Sequence, residues 1–585
     1  MDLRSVDVRD LPSEVSAEIA HFEGESERFR QGELTWEQFS AYRTMRGIYG
    51  QRQKDRYMVR VKVPSGLLSA EQMEMLAHIA EAYSRGFAYV TTRQDIQVHN
   101  ILLEKVPTIM ALLASVGLTA REACGNTVRN VTCDYLAGLC QDEIFDVTPY
   151  ALAVTQHFLR HSLVQKLPRK FKIAFSSCRH DHGLTPIQDV GAQAVLRNGH
   201  RGFRLLVGGG LGAAPRLADP FADFVPEEEL IRTCEAIIRV FEREGGFPNL
   251  LRKNRNKARL KFLLWKVGIE EFRRLVAEDL SQMPPAESDV YTRPDLSLTE
   301  GPPEHPQPPT PAQPRLGYEV WRRLNVYPQK QEGYHLAQVL LPMGKVTVEQ
   351  LQDLAQIARR FAGGRSRTTP GQNLVLRWVR EADLAALHAA LLETGLAQPG
   401  AETILDPVAC PGTDTCRTGI TNAKALGRAV VHELSQDGYL EDPLARSIRI
   451  MIDGCPNACG QHWIGDIGLC GSTLHVEGRL IPTYDLMVGS GPGETGSFLA
   501  QRVMRIGAKR APEAVIELLR YYREARQGAE PFRAFVGRVG PGAIREALGL
   551  YDALPAFHED PMAYVDWETQ KLFSLDERGE GECAV

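Results

Sequence analysis
The sequence predicts an α+β fold made from one duplicated unit. Each copy is a ferredoxin-like half-domain followed by a larger mixed α/β domain. Three observations predict it: an internal repeat with a long period, a β-α-β-α alternation inside each copy, and a proline-rich linker between the copies.

The repeat is plainest where "VPSGLLSAEQMEMLAHIA" is set against "LPMGKVTVEQLQDLAQIA". Pro64, Gly66, Glu71 and Gln72 match Pro342, Gly344, Glu349 and Gln350, each 278 residues later, and Gln94 and Gln372 extend the register. That period is far too long for a solenoid, so it marks a duplicated domain. The later part of the unit repeats more faintly at an offset of 277. There "KIAFSSC" aligns with "RIMIDGC", Cys133 with Cys410, Cys178 with Cys455, and Asp189-Val190-Gly191 with Asp466-Ile467-Gly468.

Each copy opens with an alternating run ("YMVRVKVPS", "YHLAQVLLP") that reads as a strand, then a helix with apolar spacing of three and four. A second strand ("DIQVHNILL", "NLVLRWV") and a second helix complete the half-domain. The larger regions carry the strand-like runs "KFKIAFS", "FRLLVGGG", "SIRIMID" and "YDLMVGSG". Residues 284–314 hold ten prolines and read as an extended linker outside any core. The chain then divides into an N-terminal extension (1–50), a half-domain (51–120), an α/β domain (121–283), the linker, a second half-domain (315–398), a second α/β domain (399–555) and a C-terminal tail (556–585).

Composition narrows the function classes. The 585 residues are 43% hydrophobic and 24% charged, with a net charge of −5, which gives no basic excess for nucleic acid. No apolar run reaches the roughly 18 residues needed to cross a bilayer, and the N-terminus lacks a signal-peptide pattern. A cytoplasmic enzyme without a membrane or nucleic-acid partner is expected. Eleven cysteines are too few for a disulfide scaffold in a chain of this length.

Four of those cysteines fall in two close pairs: Cys410 and Cys416 in "ACPGTDTC", Cys455 and Cys459 in "DGCPNACG". The five-residue gap in the first pair suits structural zinc poorly. A cubane iron–sulfur cluster tolerates it, and buried, unligated thiols are the third reading. The first copy has Leu139 and His182 where the second has Cys416 and Cys459, so only the second carries all four.

The first copy instead concentrates cations. Arg93 in "TTRQDIQVH" faces Gly371 across the repeat, and Lys170 and Lys172 in "LPRKFKIAF" face Ser447 and Arg449. Arg129 in "GNTVRNVTC" is a further candidate. A role shared by both copies would keep the same residues in both, so the asymmetry points to a task of the first copy. The glycine-rich turns "VGGGLGAAP" and "VGSGPGETG" lack a complete dinucleotide fingerprint. The run 251–266, with seven Lys or Arg, reads either as a solvated helix face or as a basic surface for an acidic partner or anionic cofactor.

The paired cysteines, the duplicated half-domain, "TTRQDIQVH" and "LPRKFK" together resemble the sirohaem-dependent sulfite and nitrite reductases, from "MRGIYGQRQ" to beyond residue 550. The resemblance implies two copies in pseudo-twofold fashion around the cofactors. Cys410, Cys416, Cys455 and Cys459 would bind a 4Fe–4S cluster, with Cys459 bridging to the sirohaem iron. Arg93, Arg129, Lys170 and Lys172 would hold an anionic substrate, and Gln97, His99, Asn130 and Asn457 would contact the macrocycle or shape its pocket. Lys172 completes a Lys-x-Lys pair, which implies sulfite, reduced by six electrons to sulfide. Nitrite, reduced to ammonia, is the alternative. No flavin or NADPH domain is visible, so electrons would come from ferredoxin or, alternatively, from an NADPH flavoprotein subunit. Tyr49 and Cys124 stand where some members carry a Tyr–Cys thioether. Cys583 and the tail have no assigned role.

Overall fold
The computed structural model describes residues 6–245, 254–304, 308, 312–489, 499–579 and 581–582. It contains four five-stranded sheets, two per copy. In the first half-domain, strands Ile48–Gly50, Tyr57–Val61, Ile96–Ile101 and Phe87–Val90 lie side by side, all antiparallel. Strands Val326–Pro328, Tyr334–Val339, Leu374–Arg380 and Arg365–Thr368 repeat that order in the second. Phe87–Val90 and Arg365–Thr368 are strands beyond the β-α-β-α reading. Each is a four-residue hairpin arm, too short for its alternation to stand out.

The fifth strand of each half-domain sheet comes from the other copy. Lys345–Thr347 pairs with Phe87–Val90, and Leu67–Ser69 pairs with Arg365–Thr368. Both exchanged strands leave a tight turn that forces a non-glycine residue into left-handed backbone, Ser65 at φ 56° and Met343 at φ 51°. Each strand then runs into a helix, Ala70–Tyr83 or Val348–Phe361, started by a capping box, Ser69 with Gln72 and Thr347 with Gln350. The two helices pack on each other, and one hydrophobic core spans both half-domains. The matched glutamines lock the exchange: Gln94 Nε2 donates to Thr368 O at 2.8 Å, and Gln372 Nε2 to Val90 O at 3.2 Å.

The larger domains have separate cores. The first sheet runs Thr132–Cys133, Ile173–Ser176, Val190–Arg197, His200–Val207, Asp219–Pro226; the second runs Val408–Ala409, Ile450–Asp453, Ile467–Val476, Arg479–Val488, Gln501–Gly507. In both, the first three strands are parallel and the rest antiparallel. Parallel strands place their C-terminal ends together: Cys133 ends its strand, and the loops leaving the strands carry Cys178, Cys410 and Cys455.

The chain ends are part of the fold. Helices Ser13–Arg30 and Trp36–Thr44 insert Phe22 and Phe39 into the shared core. Glu582 of the tail is buried against them, accepting from Arg43 Nη1 at 2.8 Å, Arg43 Nη2 at 2.5 Å and Gly50 N at 2.8 Å. No local pattern assigns that tail a role; Cys583 lies outside the described residues. So do residues 490–496 of the second glycine-rich turn. No helix among the described residues is long and apolar enough to cross a membrane.

Candidate active site
The cysteine pairs meet at the ends of Val408–Ala409 and Ile450–Asp453. Cys410 N donates to Ile452 O at 3.1 Å, and Ile420 N donates to Gly454 O at 2.8 Å, which ties the two loops together. Gly454 must be glycine, because a Cβ there would sit 2.4 Å from Thr421 O. Gly454 N in turn donates to Cys410 Sγ at 3.1 Å. Asn457 Nδ2 donates to Thr418 Oγ1 at 3.2 Å, and that hydroxyl also lies 3.3 Å from Cys416 Sγ. Behind the loop, Asp453 accepts from Gly460 N at 2.6 Å and from the ring of His462, with Nδ1 at 2.7 Å.

The four thiols act on one another. Burial pushes Cys410 well up, and Asp453, Cys455 and Cys459 push it further. Cys455 is pushed up to about 12 by burial, then by Cys459. Four soft sulfurs on two joined loops, with Cys410, Cys455 and Cys459 pushed up by burial and by their neighbours, suit a cation, and a thiol-ligated iron cluster supplies it. Cys459 is exposed, yet burial is the largest influence on its thiol. The two facts agree if the thiol opens into a cavity walled by protein. Lys170 and Lys172 lower its pKa from the first copy's side, and Thr92 Oγ1 donates to Cys459 O at 2.8 Å.

Arg93, next to Thr92, is half-buried and already held by protein acceptors. Its Nη1 donates to Gln188 Oε1 at 2.9 Å and its Nη2 to Asn130 O at 2.5 Å. Burial lowers its pKa to about 10. Asn130 donates to Val63 O at 2.7 Å and Arg93 O at 3.1 Å, while its Oδ1 is buried without a protein partner. Arg129 donates to Gly125 O at 2.9 Å, Ala123 O at 3.1 Å and Tyr49 Oη at 3.4 Å. Phe171 enters the core between Lys170 and Lys172, which therefore share the opposite side as the alternation predicted. Burial, then Arg93 and Lys170, hold Lys172 well below the usual lysine range.

One cation escaped the sequence reading. Arg60 stands opposite Gln97 on the neighbouring strand, and the Gln97 oxygen accepts from its Nε at 3.0 Å and Nη2 at 2.6 Å. The Gln97 nitrogen then donates to His99 Nε2 at 3.3 Å. His99 is pushed down to about 3 by burial, then by Lys424 and Arg60, so its ring is neutral. Arg60 also lies beside Tyr49 and Cys124, which places both thioether candidates in its neighbourhood. The missed signal was in the repeat: the counterpart of Arg60 is Gln338.

The basic run 251–266 serves this site from behind, and residues 251–253 of it lie outside the described ones. Arg259 grips Asp189 with two bonds of 3.2 and 2.7 Å, and Asp189 accepts from Lys172 N at 2.9 Å. Lys261 donates to Gly210 O at 3.2 Å and Leu211 O at 3.0 Å, which pins the first glycine-rich turn. Trp463, beyond the cysteine loop, donates to Gly212 O at 2.9 Å. Neither reading made for the run from the sequence describes these two side chains, which are buried and internal.

Arg60, Lys62, Arg93 and Arg129 all pull down the carboxyl of Asp95, with Lys170 and Lys172 close by. Burial still raises Asp95 to about 6; Glu122, 3.8 Å from Lys62, and Asp189, which accepts from Lys172 N, are the other carboxylates near these cations. Six basic side chains around three carboxylates suit an anionic occupant. A carboxylate-bearing macrocycle with an anionic substrate fits that excess. The fold and site therefore define a duplicated redox enzyme with four thiols suited to an iron cluster beside a concentration of basic side chains.

Comparison with known proteins gives the family. The model of the nitrite and sulphite reductase 4Fe-4S domain matches residues 124–283 and 400–554, and that of the nitrite/sulfite reductase ferredoxin-like half domain matches 49–116 and 327–394. The chain belongs to the nitrite and sulfite reductase family, whose cofactors are sirohaem and a 4Fe–4S cluster. It is 30% identical to the ferredoxin–nitrite reductase of Synechococcus elongatus over 79% of this chain and 86% of the relative. It is 32% identical to the chloroplastic ferredoxin–nitrite reductase of Zea mays, over 77% of this chain and 76% of the other. The solved structure of the Mycobacterium tuberculosis NirA protein superposes with a TM-score of 0.74 at 26% identity, covering 88% of this chain and 92% of that one.

Proposed function
We propose that the chain is a ferredoxin-dependent nitrite reductase, taking nitrite to ammonia by six electrons. The observation that carries the reading is the cationic face of the first copy, joined to the cluster loop by the Thr92–Cys459 hydrogen bond. The names of the relatives that span most of both chains support nitrite over sulfite. Lys172 points the same way. Its Lys-x-Lys pair favoured sulfite for its extra charge, but burial and two cationic neighbours disfavour that charge.

Sirohaem, when bound, would supply a redox-active iron for single-electron transfer, and Cys459 is the cluster thiol nearest the basic face that would hold it. Arg60 and Arg129 are positioned to hold the anion's oxygens, each fixed by acceptors that leave little freedom to the guanidinium. Lys172 is suited to hand over a proton, because its environment disfavours the ammonium. Arg93 and Asn130 hold the wall of the cavity. The cytoplasm, reducing enough to keep the cysteines as thiols, is the matching location.

Sulfite is the second reading, favoured if the Lys170–Lys172 pair keeps both charges when the anion is bound. Steady-state turnover of each anion with reduced ferredoxin separates the two. The larger kcat/KM is expected for nitrite; a larger value for sulfite overturns the proposal. Turnover only with an NADPH flavoprotein, and not with ferredoxin, would overturn the donor.

A further inference from the structure
The first copy has lost two of the four cluster cysteines, yet the corresponding place is not bare. Cys178 corresponds to Cys455 and His182 to Cys459. Cys178 Sγ lies 3.4 Å from His182 Nδ1 and 3.6 Å from Asp134 Oδ2, and His182 Nδ1 lies 3.6 Å from the same oxygen. Cys140, one position past the Cys416 counterpart, lies beside this trio, and its thiol and that of Cys178 influence each other. We propose that Cys140, Cys178, His182 and Asp134 form a zinc site at the pseudo-symmetric counterpart of the iron–sulfur cluster.

The geometry favours a ligand set over a catalytic relay. In a Cys–His–Asp relay the imidazole uses one nitrogen for the thiol and the other for the carboxylate. Here both contacts converge on Nδ1, and Asp134, Cys178 and His182 present one atom each within 4.8 Å of one another. Two thiols, an imidazole and a carboxylate match zinc in number and softness, and exclude magnesium or calcium.

The surroundings hold these residues in place. Asp134 and Cys178 are buried on segments leaving Thr132–Cys133 and Ile173–Ser176. Asp134 Oδ1 accepts from Leu136 N at 2.9 Å, and Ser177 Oγ donates to Oδ2 at 3.0 Å. Two arginines of the second copy clamp the intervening loop: Arg367 donates to Asp134 O at 2.9 Å, and Arg377 to Tyr135 O and Ala137 O at 3.0 and 2.7 Å. Cys140 and His182 are partly exposed, which leaves a path for the ion. Zinc would clip loop 134–143 to turn 178–182, as the cluster clips the corresponding loops of the second copy.

Metal analysis of the purified holoenzyme tests this. After washing with a chelator too weak to strip thiolate sites, one zinc per chain is expected in addition to the cofactor iron. Zinc-edge X-ray absorption should report mixed sulfur and nitrogen or oxygen ligands. His182→Ala and Cys178→Ser should each lower zinc by about tenfold or more while iron content and the visible spectrum stay unchanged. Should the variants fail to fold, reloading of chelator-stripped wild-type holoenzyme with zinc gives an independent readout, and one equivalent bound is expected. Zinc absent from the wild type and not taken up, zinc retained by both variants, or a Cys140–Cys178 disulfide in peptide mass spectra would each overturn the site.

Discussion

Lys172 and Asp95 show how burial sets the chemistry of single residues in this cavity. Lys172→Asn should lower turnover of both anions, by about 10²-fold for a lost proton donor, and a change confined to KM would contradict that role. If its charge instead serves a dianion, sulfite should suffer more than nitrite, which paired kcat/KM values would reveal. Asp95, raised to about 6 by burial, stays protonated in the fold at pH values where the unfolded chain has released the proton. Stability should therefore fall as pH rises from about 4 to about 6, by up to about 1.4 kcal/mol per pH unit. Asp95→Asn should remove that slope in denaturant titrations of the holoenzyme. If Tyr49 and Cys124 are joined, the intact mass will be two hydrogens short and digestion will yield the linked peptide; two separate unmodified peptides exclude it.

At the scale of elements, the exchanged strands Leu67–Ser69 and Lys345–Thr347 make the half-domains one folding unit. Either copy expressed alone leaves one edge strand without its partner and half a core exposed. Co-expressed pieces divided within the linker should assemble and bind cofactors, while each piece alone should aggregate, as size-exclusion chromatography will show. The capping boxes that start the paired helices contribute locally. Ser69→Ala and Thr347→Ala should each cost about 1 kcal/mol in chemical denaturation.

Across the whole molecule, the two chain ends meet at Arg43 and Glu582, which are almost completely buried. Removing one partner strands the other charge, so Glu582→Ala should destabilise the protein by about 3 to 5 kcal/mol in reversible denaturation. The same carboxylate lies 3.6 Å from Arg417, the neighbour of Cys416. Loss of the tail should therefore also loosen the cysteine loop, and iron content after purification will report it.

The duplication and the paired cysteines were legible in the sequence because each is a matter of order along the chain; the proline-rich stretch was read as lying outside any core, yet its Tyr291 joins the first domain's core and its Glu300 is buried against Arg377. Position-by-position comparison of the copies also exposed Arg93, Lys170 and Lys172, and would have exposed Arg60 through Gln338. The sequence by itself determined which residues exist in which copy, and so which copy holds sulfur and which holds charge. Only the tertiary structure decided what those residues do. Strand exchange, the burial of Arg259 and Lys261, the Arg43–Glu582 pair and the meeting of Asp134 with Cys178 all join positions far apart in sequence. Burial then decides which cations keep their charge, and no local pattern records either.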